Sequence, residues 1–279
     1  MSNTVVRLLT GFVGAPIIIA ILYLSPNIGH YLLAGGAMFI AATEFFAMTH
    51  PDDTFGRRLG TALTVALFSV LVYTRYGHAH GALAVWAFAL LAPTVLLVAL
   101  SRPAHIGTAL HRTAALVLGP LYLATTMGAI AVIRTLGTRN EGAGLVLLTL
   151  CTAWMSDTTA YFVGRHFKGP KLYPAVSPNK TWSGALGGLT ASVMAAVIAH
   201  YSYLPTLPLA AGMAVAGLAG VLGQMGDLAE SVLKRSAGVK DSGGILPGHG
   251  GILDRIDAVV FASLVVLGSF ETGLLTLTR

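Results

Sequence analysis

The sequence predicts an all-α membrane protein that crosses the bilayer several times. Of its 279 residues, 55% are hydrophobic and only 10% are charged, and the mean hydropathy is +0.76. Soluble domains carry about 25% charged residues, so the composition excludes a soluble globular fold. Its apolar stretches are close to the roughly 20 residues that a spanning helix needs. They are too long for the short alternating strands of a membrane barrel.

Nine apolar stretches predict nine transmembrane helices. The first begins near Val5, with Arg7 as the only early positive charge, so we expect a retained helix rather than a cleaved signal peptide. Turn signals such as Ser25-Pro26-Asn27 and Pro51-Asp52-Asp53 separate the stretches. The stretches are 5–24, 31–48, 59–75, 81–100, 114–133, 143–164, 184–203, 207–233 and 256–277.

The distribution of positive charge predicts the orientation. With nine spans, thirteen of the 17 Lys and Arg residues fall on one side of the membrane and four on the other. The side rich in Lys and Arg faces the cytoplasm, so we expect a cytoplasmic N-terminus and a C-terminus outside. We divide the chain into five N-terminal spans (1–140) and a catalytic region of four spans (141–279). Its loops 164–183 and 234–255 then share the cytoplasmic face.

Ionisable residues are concentrated between Gln224 and Asp257. Six glycines and a proline lie between Gly238 and Gly251, where a helix would not tolerate them. Magnesium prefers carboxylate and phosphate oxygens, so acids on both sides of a basic, glycine-rich loop predict a magnesium–phosphate site. The ionisable residues are Asp227, Glu230, Lys234, Arg235, Lys240, Asp241, Asp254, Arg255 and Asp257.

Two aspartates from different predicted helices are the candidate metal ligands of this site. Asp227 shares one helical face with Glu230, Ser231 and Lys234. Asp254 begins the last helix, which it is placed to cap. Together the two carboxylates would hold a metal at the mouth of the bundle.

Three further polar features lie near the predicted membrane boundary. Asp157 is inside an apolar span, where an acid is costly unless it is paired or bound to a cation; both readings stay open. Glu44 is either functional or the partner of a nearby arginine. A turn is expected at Ser177-Pro178-Asn179, followed by Lys180 and Thr181 at the start of a helix whose N–H groups suit a phosphate.

Small residues four apart predict close helix packing in lipid. We expect this packing mainly within one subunit, although it also permits a homodimer. The pairs are Ser183/Gly187, Ala216/Gly220 and Ala219/Gly223.

The run from Ser231 to Asp257 resembles the signature of the phosphatidate cytidylyltransferases, or CDP-diacylglycerol synthases. Within it stand Lys240-Asp241, Leu246-Pro247-Gly248-His249-Gly250-Gly251 and Asp254-Arg255-Ile256-Asp257. The upstream runs 157–165 and 177–182 resemble the family's other two blocks. The likeness covers essentially the whole chain, most specifically 150–258. The chain departs from the usual pattern at Thr159, Ser183 and Ala258.

The resemblance implies that CTP and phosphatidic acid give CDP-diacylglycerol and pyrophosphate in the bacterial inner membrane. It also implies Mg²⁺, with room for a second monovalent or divalent cation, and a homodimer. CTP, phosphatidic acid and membrane lipids are then the partners, and no nucleic acid is expected. By position, Asp227 and Asp254 correspond to the metal-binding acids, and Asp157 would support the metal or the pocket.

The polar segments and the resemblance together predict the residues of the site. The expected catalytic residues are Asp157, Asp227, Lys234, Lys240, His249, Asp254 and Arg255. The residues expected to bind CTP and the lipid phosphate are Ser177, Lys180, Thr181, Arg235, Asp241, Gly250, Gly251 and Asp257.

Two other functions remain as alternatives. A CTP-dependent polyprenol or phytol kinase would act on a lipid alcohol, whose high pKa calls for a general base. A transporter would use Asp157 and Asp227 as relay groups. The complete signature argues against the kinase, and the absence of an internal repeat argues against the transporter.

Overall fold

Nine α-helices follow the nine predicted stretches in the computed structural model, which describes residues 3–76, 81–245 and 250–278. The prediction of a predominantly helical chain is confirmed. A short 3-10 turn, Pro103–Thr108, precedes the fifth helix. The helices are α1 Asn3–Leu24, α2 Asn27–Thr49, α3 Thr54–Tyr76, α4 Gly81–Leu100, α5 Ala109–Ile133, α6 Arg139–Phe167, α7 Trp182–Ser202, α8 Leu209–Ser236 and α9 Leu253–Glu271.

Six helices of the described part of the chain are long and apolar enough to cross a membrane, namely α2, α3, α4, α5, α7 and α8. The chain is therefore a multi-pass membrane protein. Large apolar side chains such as Phe39, Trp86 and Leu97 are exposed on the outer surface of the bundle. In lipid such side chains need no protein partner.

The last helix ends earlier than predicted. The apolar pattern runs to Leu277, but α9 ends at Glu271. Gly273 has a φ of +75°, a conformation that glycine adopts without strain. The chain then turns, the Leu275 amide donates to Ser269 O at 2.9 Å, and the Thr278 amide donates to Thr206 O at 2.8 Å. The first bond folds the C-terminal segment back on α9, and the second ties it to the connection between α7 and α8.

A short antiparallel hairpin was not predicted. Strand β1 (Lys171–Tyr173) pairs with β2 (Ser177–Thr181), and the turn lies at 174–176. The prediction of a turn at Ser177-Pro178-Asn179 is therefore wrong, because this segment is held in β2 by its partner strand. The Trp182 amide donates to Pro170 O at 3.0 Å and fixes the end of the hairpin at the start of α7.

Small residues allow close helix contacts, and the predicted packing within one chain is confirmed. A Cβ on Gly187 of α7 would overlap Val163 of α6, and one on Gly220 of α8 would overlap Ser192 of α7. Gly223 faces the backbone of Ala258 in α9 in the same way. Helices α6 to α9 therefore pack together at short distance, and their ends surround the candidate site.

The N-terminal helices pack around Phe46 of α2. Gly60 of α3 and Gly119 of α5 both face its ring, and a Cβ at either position would overlap it. Helix α5 continues through Pro120, and α2 and α5 both contact α9. The N-terminal helices therefore support the catalytic end of the chain.

Candidate active site

A cavity of about 820 Å³ opens at the end of helices α6, α7, α8 and α9. Side chains from both predicted polar loops line it, so these loops lie at the same end of the bundle. The charged residues that line it are Asp157, Arg165, Lys168, Lys171, Lys180, Asp227, Lys234, Asp241, Asp254, Arg255 and Asp257.

An ion pair joins the hairpin to α8 across the cavity. Lys180 Nζ of β2 lies 2.5 Å from Asp227 Oδ2, and the two side chains are 28% and 23% exposed. The adjacent Thr181 caps α7, because its hydroxyl accepts a hydrogen bond of 3.1 Å from the Gly184 amide. The hairpin thus places a lysine and a helix N-terminus on one wall of the cavity.

A second lysine joins α8 to α9. Lys234 Nζ lies 2.6 Å from Asp254 Oδ1 and 3.0 Å from Glu230 Oε1. All three side chains are at most 9% exposed. A buried charge is costly without a partner, so each member of this triad depends on the others.

Asp254 also organises the glycine-rich loop. Its Oδ2 accepts hydrogen bonds of 2.9 Å from the amides of Ser242 and Gly251 and from the Ser242 hydroxyl. Gly250, with a φ of +79°, turns the chain into this arrangement. Oδ2 is fully used by three donors, so Oδ1, which faces Lys234, is the oxygen left to meet a cation.

The start of α9 is capped from a distant helix. Glu44 of α2 is 7% exposed, and its two oxygens accept hydrogen bonds from the Ile252 amide at 3.1 Å and the Leu253 amide at 2.9 Å. Asp254, expected to cap this helix, instead reaches back to Gly251 from the first turn. Of the two readings left open for Glu44, pairing with an arginine is not observed among the described residues; its partners are these two backbone N–H groups and the Ser242 hydroxyl, 3.3 Å from Oε2.

One face of α6 lines the opposite wall. Asp157, Tyr161, Gly164 and Arg165 all face the cavity, and the Arg165 guanidinium donates to the Tyr161 hydroxyl at 2.9 Å. These four residues form one stripe along the helix.

Two glycines bring α6 and α7 together. A Cβ on Gly184 would lie 2.6 Å from the carbonyl oxygen of Ala160, and one on Gly164 would lie 2.7 Å from the Thr181 hydroxyl. Gln224 of α8 donates to Ala185 O at 3.1 Å. These contacts set the distance between the walls.

The structure separates the predicted residues into two groups. Asp157, Lys180, Thr181, Asp227, Lys234, Asp241, Asp254, Arg255 and Asp257 line the cavity. Ser177, Arg235, Lys240, Gly250 and Gly251 do not, although Gly250 and Gly251 shape the loop that Asp254 holds. Arg235 donates to Val239 O at 3.0 Å at the end of α8, and Lys240 is exposed. His249 lies outside the described residues.

Sequence reasoning left several cavity residues out of the predicted site. The missed lining side chains are Tyr161, Arg165, Lys168, Lys171, Asn179 and Gln224. The spacing of Tyr161 and Arg165 from Asp157 was a usable signal, since it puts them on one helix face. For Lys168 and Lys171 the signal was their position between two family blocks. Ser242 and Glu44 carried no local signal for the roles they have.

The family departures have structural partners. The Ser183 hydroxyl donates to Lys168 O and lies 3.0 Å from the Thr181 hydroxyl, so it fastens α7 to the end of α6. Ala258 is 3% exposed and packs against Gly223. Its amide donates to Asp257 Oδ1 at 2.7 Å.

The donor set fits a magnesium ion that arrives with a phosphate. In the described residues, no three His, Cys, Asp or Glu side chains converge closely enough to hold an ion by themselves. Magnesium is usually bound by one or two carboxylates, substrate phosphate oxygens and waters, and Asp227 and Asp254 supply such carboxylates. The surrounding Lys and Arg side chains suit polyanionic substrates.

Comparisons with known proteins agree with this chemistry. A protein of Brucella abortus (strain 9-941) named phosphatidate cytidylyltransferase is 34% identical over 270 residues, which cover 95% of this chain and 93% of that protein. One of Staphylococcus haemolyticus with the same name is 44% identical over 124 residues, 44% of this chain and 48% of that protein. The sequence model described as "Cytidylyltransferase family" matches residues 5–271. The chain belongs to the cytidylyltransferase family.

Proposed function

We propose that this protein transfers the cytidylyl group of CTP to phosphatidic acid, giving CDP-diacylglycerol and pyrophosphate. The observation that carries the proposal is the cavity in which the Lys180–Asp227 pair faces the Lys234–Asp254 pair, at the end of a membrane bundle. A polar nucleotide and a lipid phosphate can both reach such a position. The relatives named above carry the same activity in their names.

In the proposed reaction a phosphatidate oxygen attacks the α-phosphorus of CTP. The new P–O bond forms as the bond to the bridging α–β oxygen breaks, and pyrophosphate leaves with that electron pair. A phosphate monoester has a second pKa of about 6, so the nucleophile is already an anion and no general base is needed. The protein's task is to align two polyanions and neutralise their charge.

Cavity residues divide this task between them. Lys180, Lys234 and Arg255 would neutralise the triphosphate, and Arg165, held by Tyr161, is placed to meet a phosphate from the side of α6. The Gly250–Gly251 loop, held by Asp254, would border the nucleotide. The remaining predicted residues would act from outside the cavity lining; they are Ser177, Arg235 and Lys240.

Magnesium is part of the proposal. Asp227 and Asp254 would hold it, with Asp157 in support and room for a second cation. Bound there, it would neutralise phosphate charge and polarise the phosphorus that is attacked. Both acids pair with lysines, so that the site keeps a balanced charge before substrate arrives.

The setting of the site is also proposed. Nine spans, with the N-terminus in the cytoplasm and the C-terminus outside, put the cavity at the cytoplasmic face of a bacterial inner membrane. The 13-to-4 distribution of Lys and Arg supports this orientation. We also propose that the chain divides into an N-terminal region, 1–140, and a catalytic region, 141–279. A homodimer is part of the proposal, but the small-residue pairs described above pack helices within one chain and do not support it.

One assay tests the function. Detergent-purified protein is incubated with labelled CTP, magnesium and either phosphatidic acid or a polyprenol. Formation of CDP-diacylglycerol from phosphatidic acid alone is the expected result. CDP together with a phosphorylated polyprenol would instead identify a lipid kinase. If neither lipid is turned over, both enzymatic functions are contradicted and a transporter is the remaining alternative.

A further inference from the structure

A second charged cluster lies outside the catalytic cavity, where the connection between α2 and α3 meets the connection between α4 and α5. Asp53, 5% exposed, is its centre. Arg102 Nη1 lies 2.7 Å and Arg112 Nη1 2.5 Å from Asp53 Oδ2. The Gly56 amide donates to Oδ1 at 3.0 Å. We call Asp53, His50, Arg102 and Arg112 the Asp53 cluster.

The charges of the Asp53 cluster do not balance. One carboxylate faces two guanidinium groups, which leaves one positive charge in excess. Arg57 and Arg58, near the start of α3, add two more cations beside the exposed Asp52. The aspartate orients both arginines, which share its Oδ2. Guanidinium groups held in this way suit phosphate oxygens, which they can bind in pairs.

His50 lacks a partner at one ring nitrogen. It is 1% exposed, and its Nδ1 lies 3.0 Å from the Thr49 hydroxyl. Its Nε2 is buried and has no hydrogen-bond partner among the described residues. Nearly all buried polar atoms in proteins have such a partner, so this nitrogen is available to an atom from outside the chain.

A small cavity lies beside His50. It measures about 30 Å³ and is lined by His50, Asp53, Val98, Arg102, Arg112 and Leu116 among others. That is room for one or two water-sized groups, such as the oxygens of a phosphate. The cavity is therefore too small for a nucleotide.

Exposed apolar side chains surround the cluster. Phe55 is 51% exposed, and the Arg102 guanidinium stacks on its ring at 4.7 Å. Ile106, in the 3-10 turn, is 81% exposed, and Leu110, at the start of α5, is 79% exposed. Leu97 of α4, 66% exposed, extends the apolar surface along the bundle. Cations beside an apolar surface at the end of membrane helices match a ligand that joins a phosphate to acyl chains.

We propose that Arg102, Arg112 and His50 form a headgroup site for an anionic phospholipid, separate from the catalytic cavity. The phosphate lies beside the two guanidinium groups, which stay paired with Asp53, and accepts a hydrogen bond from His50 Nε2–H. In that tautomer the Thr49 hydroxyl, which lies 3.1 Å from Phe45 O and 3.0 Å from Nδ1, turns its proton from the carbonyl to Nδ1. The acyl chains follow the exposed faces of α4 and α5.

Native mass spectrometry of the full chain in detergent tests the site. The protein is titrated with phosphatidylglycerol, with phosphatidylcholine and with inorganic phosphate, and the bound fraction is counted per protomer. We expect wild type to retain one phosphatidylglycerol at least about tenfold more tightly than phosphatidylcholine. Arg112→Gln should weaken this binding about tenfold or more, the scale of a lost charged hydrogen bond. Lipid held in the catalytic cavity is common to all variants and does not affect the comparison.

Arg58→Gln is the matched control, because it removes the same charge from an exposed residue on the same surface. Arg112→Lys is a second variant in case Arg112→Gln fails to fold. It keeps the positive charge beside Asp53 but loses the planar guanidinium group. Its affinity for phosphatidylglycerol should lie between those of wild type and Arg112→Gln. Equal losses in Arg58→Gln and Arg112→Gln, or an unaffected Arg112→Lys, would mean bulk attraction only. Equal binding of phosphatidylcholine, or binding of inorganic phosphate alone, would equally overturn the lipid site.

Discussion

The Glu44 carboxylate of α2 accepts a hydrogen bond of 2.9 Å from the backbone N–H of Leu253, the first residue of α9. The two residues are 209 positions apart in the sequence. N–H groups at a helix start have no partner within the helix, and a negative charge there is favourable. An N-terminal helix thus fixes the start of the helix that carries Asp254 and Asp257.

Glu44→Ala tests this relationship. The change leaves the buried amides of Ile252 and Leu253 without acceptors, at a cost of about 1–3 kcal/mol each. We expect the Tm to fall by at least about 4 °C and the rate of CDP-diacylglycerol formation by tenfold or more, since small displacements of reacting groups are costly. Thr43→Ala, at the exposed neighbouring position, is the control. If both variants behave alike, the cap has no role in the site.

Asp227→Asn tests the proposed metal site. It keeps the side-chain size but removes the charge that would hold magnesium and that faces Lys180. We expect activity at saturating CTP to fall by about a hundredfold or more, with a much weaker response to added magnesium. Asp52→Asn makes the same change on an exposed loop and should leave both unchanged. Full magnesium-dependent activity in Asp227→Asn would show that the metal is held elsewhere.

The structure gives Lys234 and Lys240 different surroundings, although both were predicted to be catalytic. Lys234→Met leaves Glu230 and Asp254 as buried acids without their cation, which costs about 3–5 kcal/mol. We expect this variant to lose both stability and activity, measured by Tm and by turnover. Lys240 is exposed and does not line the cavity, so Lys240→Met should stay within about tenfold of wild type. A larger loss of turnover in Lys240→Met than in Lys234→Met would contradict this prediction.

Much of the fold could be predicted because each helix carries its own apolar stretch. The position of the site was also local information, since Asp227, Lys234 and Asp254 stand out in an apolar sequence. The bond between Glu44 and Leu253 could not be predicted, because no local pattern links residues so far apart. The same holds for the pairing of Lys180 with Asp227, which depends on how the hairpin folds over α8.

The hairpin shows why a local pattern can mislead. Ser177-Pro178-Asn179 has the composition of a turn, yet it forms β2 because Lys171–Tyr173 pairs with it. The end of α9 is the opposite case. The apolar composition continues to Leu277, and the single turn at Gly273 decides where the helix ends.

Gly184→Ala tests the spacing of the cavity walls. The added methyl group would lie 2.6 Å from Ala160 O, so α6 and α7 must move apart. Overpacking of this kind costs about 1–3 kcal/mol, and we expect a lower Tm and a raised KM for CTP. Gly36→Ala in α2 is the control, because nothing lies within 4 Å of its added methyl group. Alanine at position 36 should leave the Tm unchanged or raise it slightly. If Gly36→Ala and Gly184→Ala change the Tm and the KM equally, the contact between Gly184 and Ala160 O does not set the spacing of the walls.

Asp53 gives a prediction about pH. Burial by itself raises the pKa of this carboxyl, but hydrogen bonds from Arg102 and the Gly56 amide, with the charge of Arg112, lower the pKa below its ordinary value. A carboxyl with a lowered pKa in the folded state stabilises that state above its unfolded pKa, about 3.9. The contribution is then lost as the pH falls from about 4 toward the folded value.

Asp53→Asn should therefore be less stable than wild type at pH 7, with a Tm lower by about 6–12 °C for a loss of about 3 kcal/mol. As the pH falls from 5 to 3 the gap should begin to narrow, because the carboxyl of the unfolded wild-type chain, with a pKa of about 3.9, takes up a proton while the folded one stays ionised. Thermal unfolding of both proteins in detergent across this range measures the gap, and Asp52→Asn, with an exposed carboxyl, should show little gap at any pH. A gap that stays constant from pH 7 to pH 3 would mean that the ionised carboxylate is not what holds Arg102 and Arg112 in place.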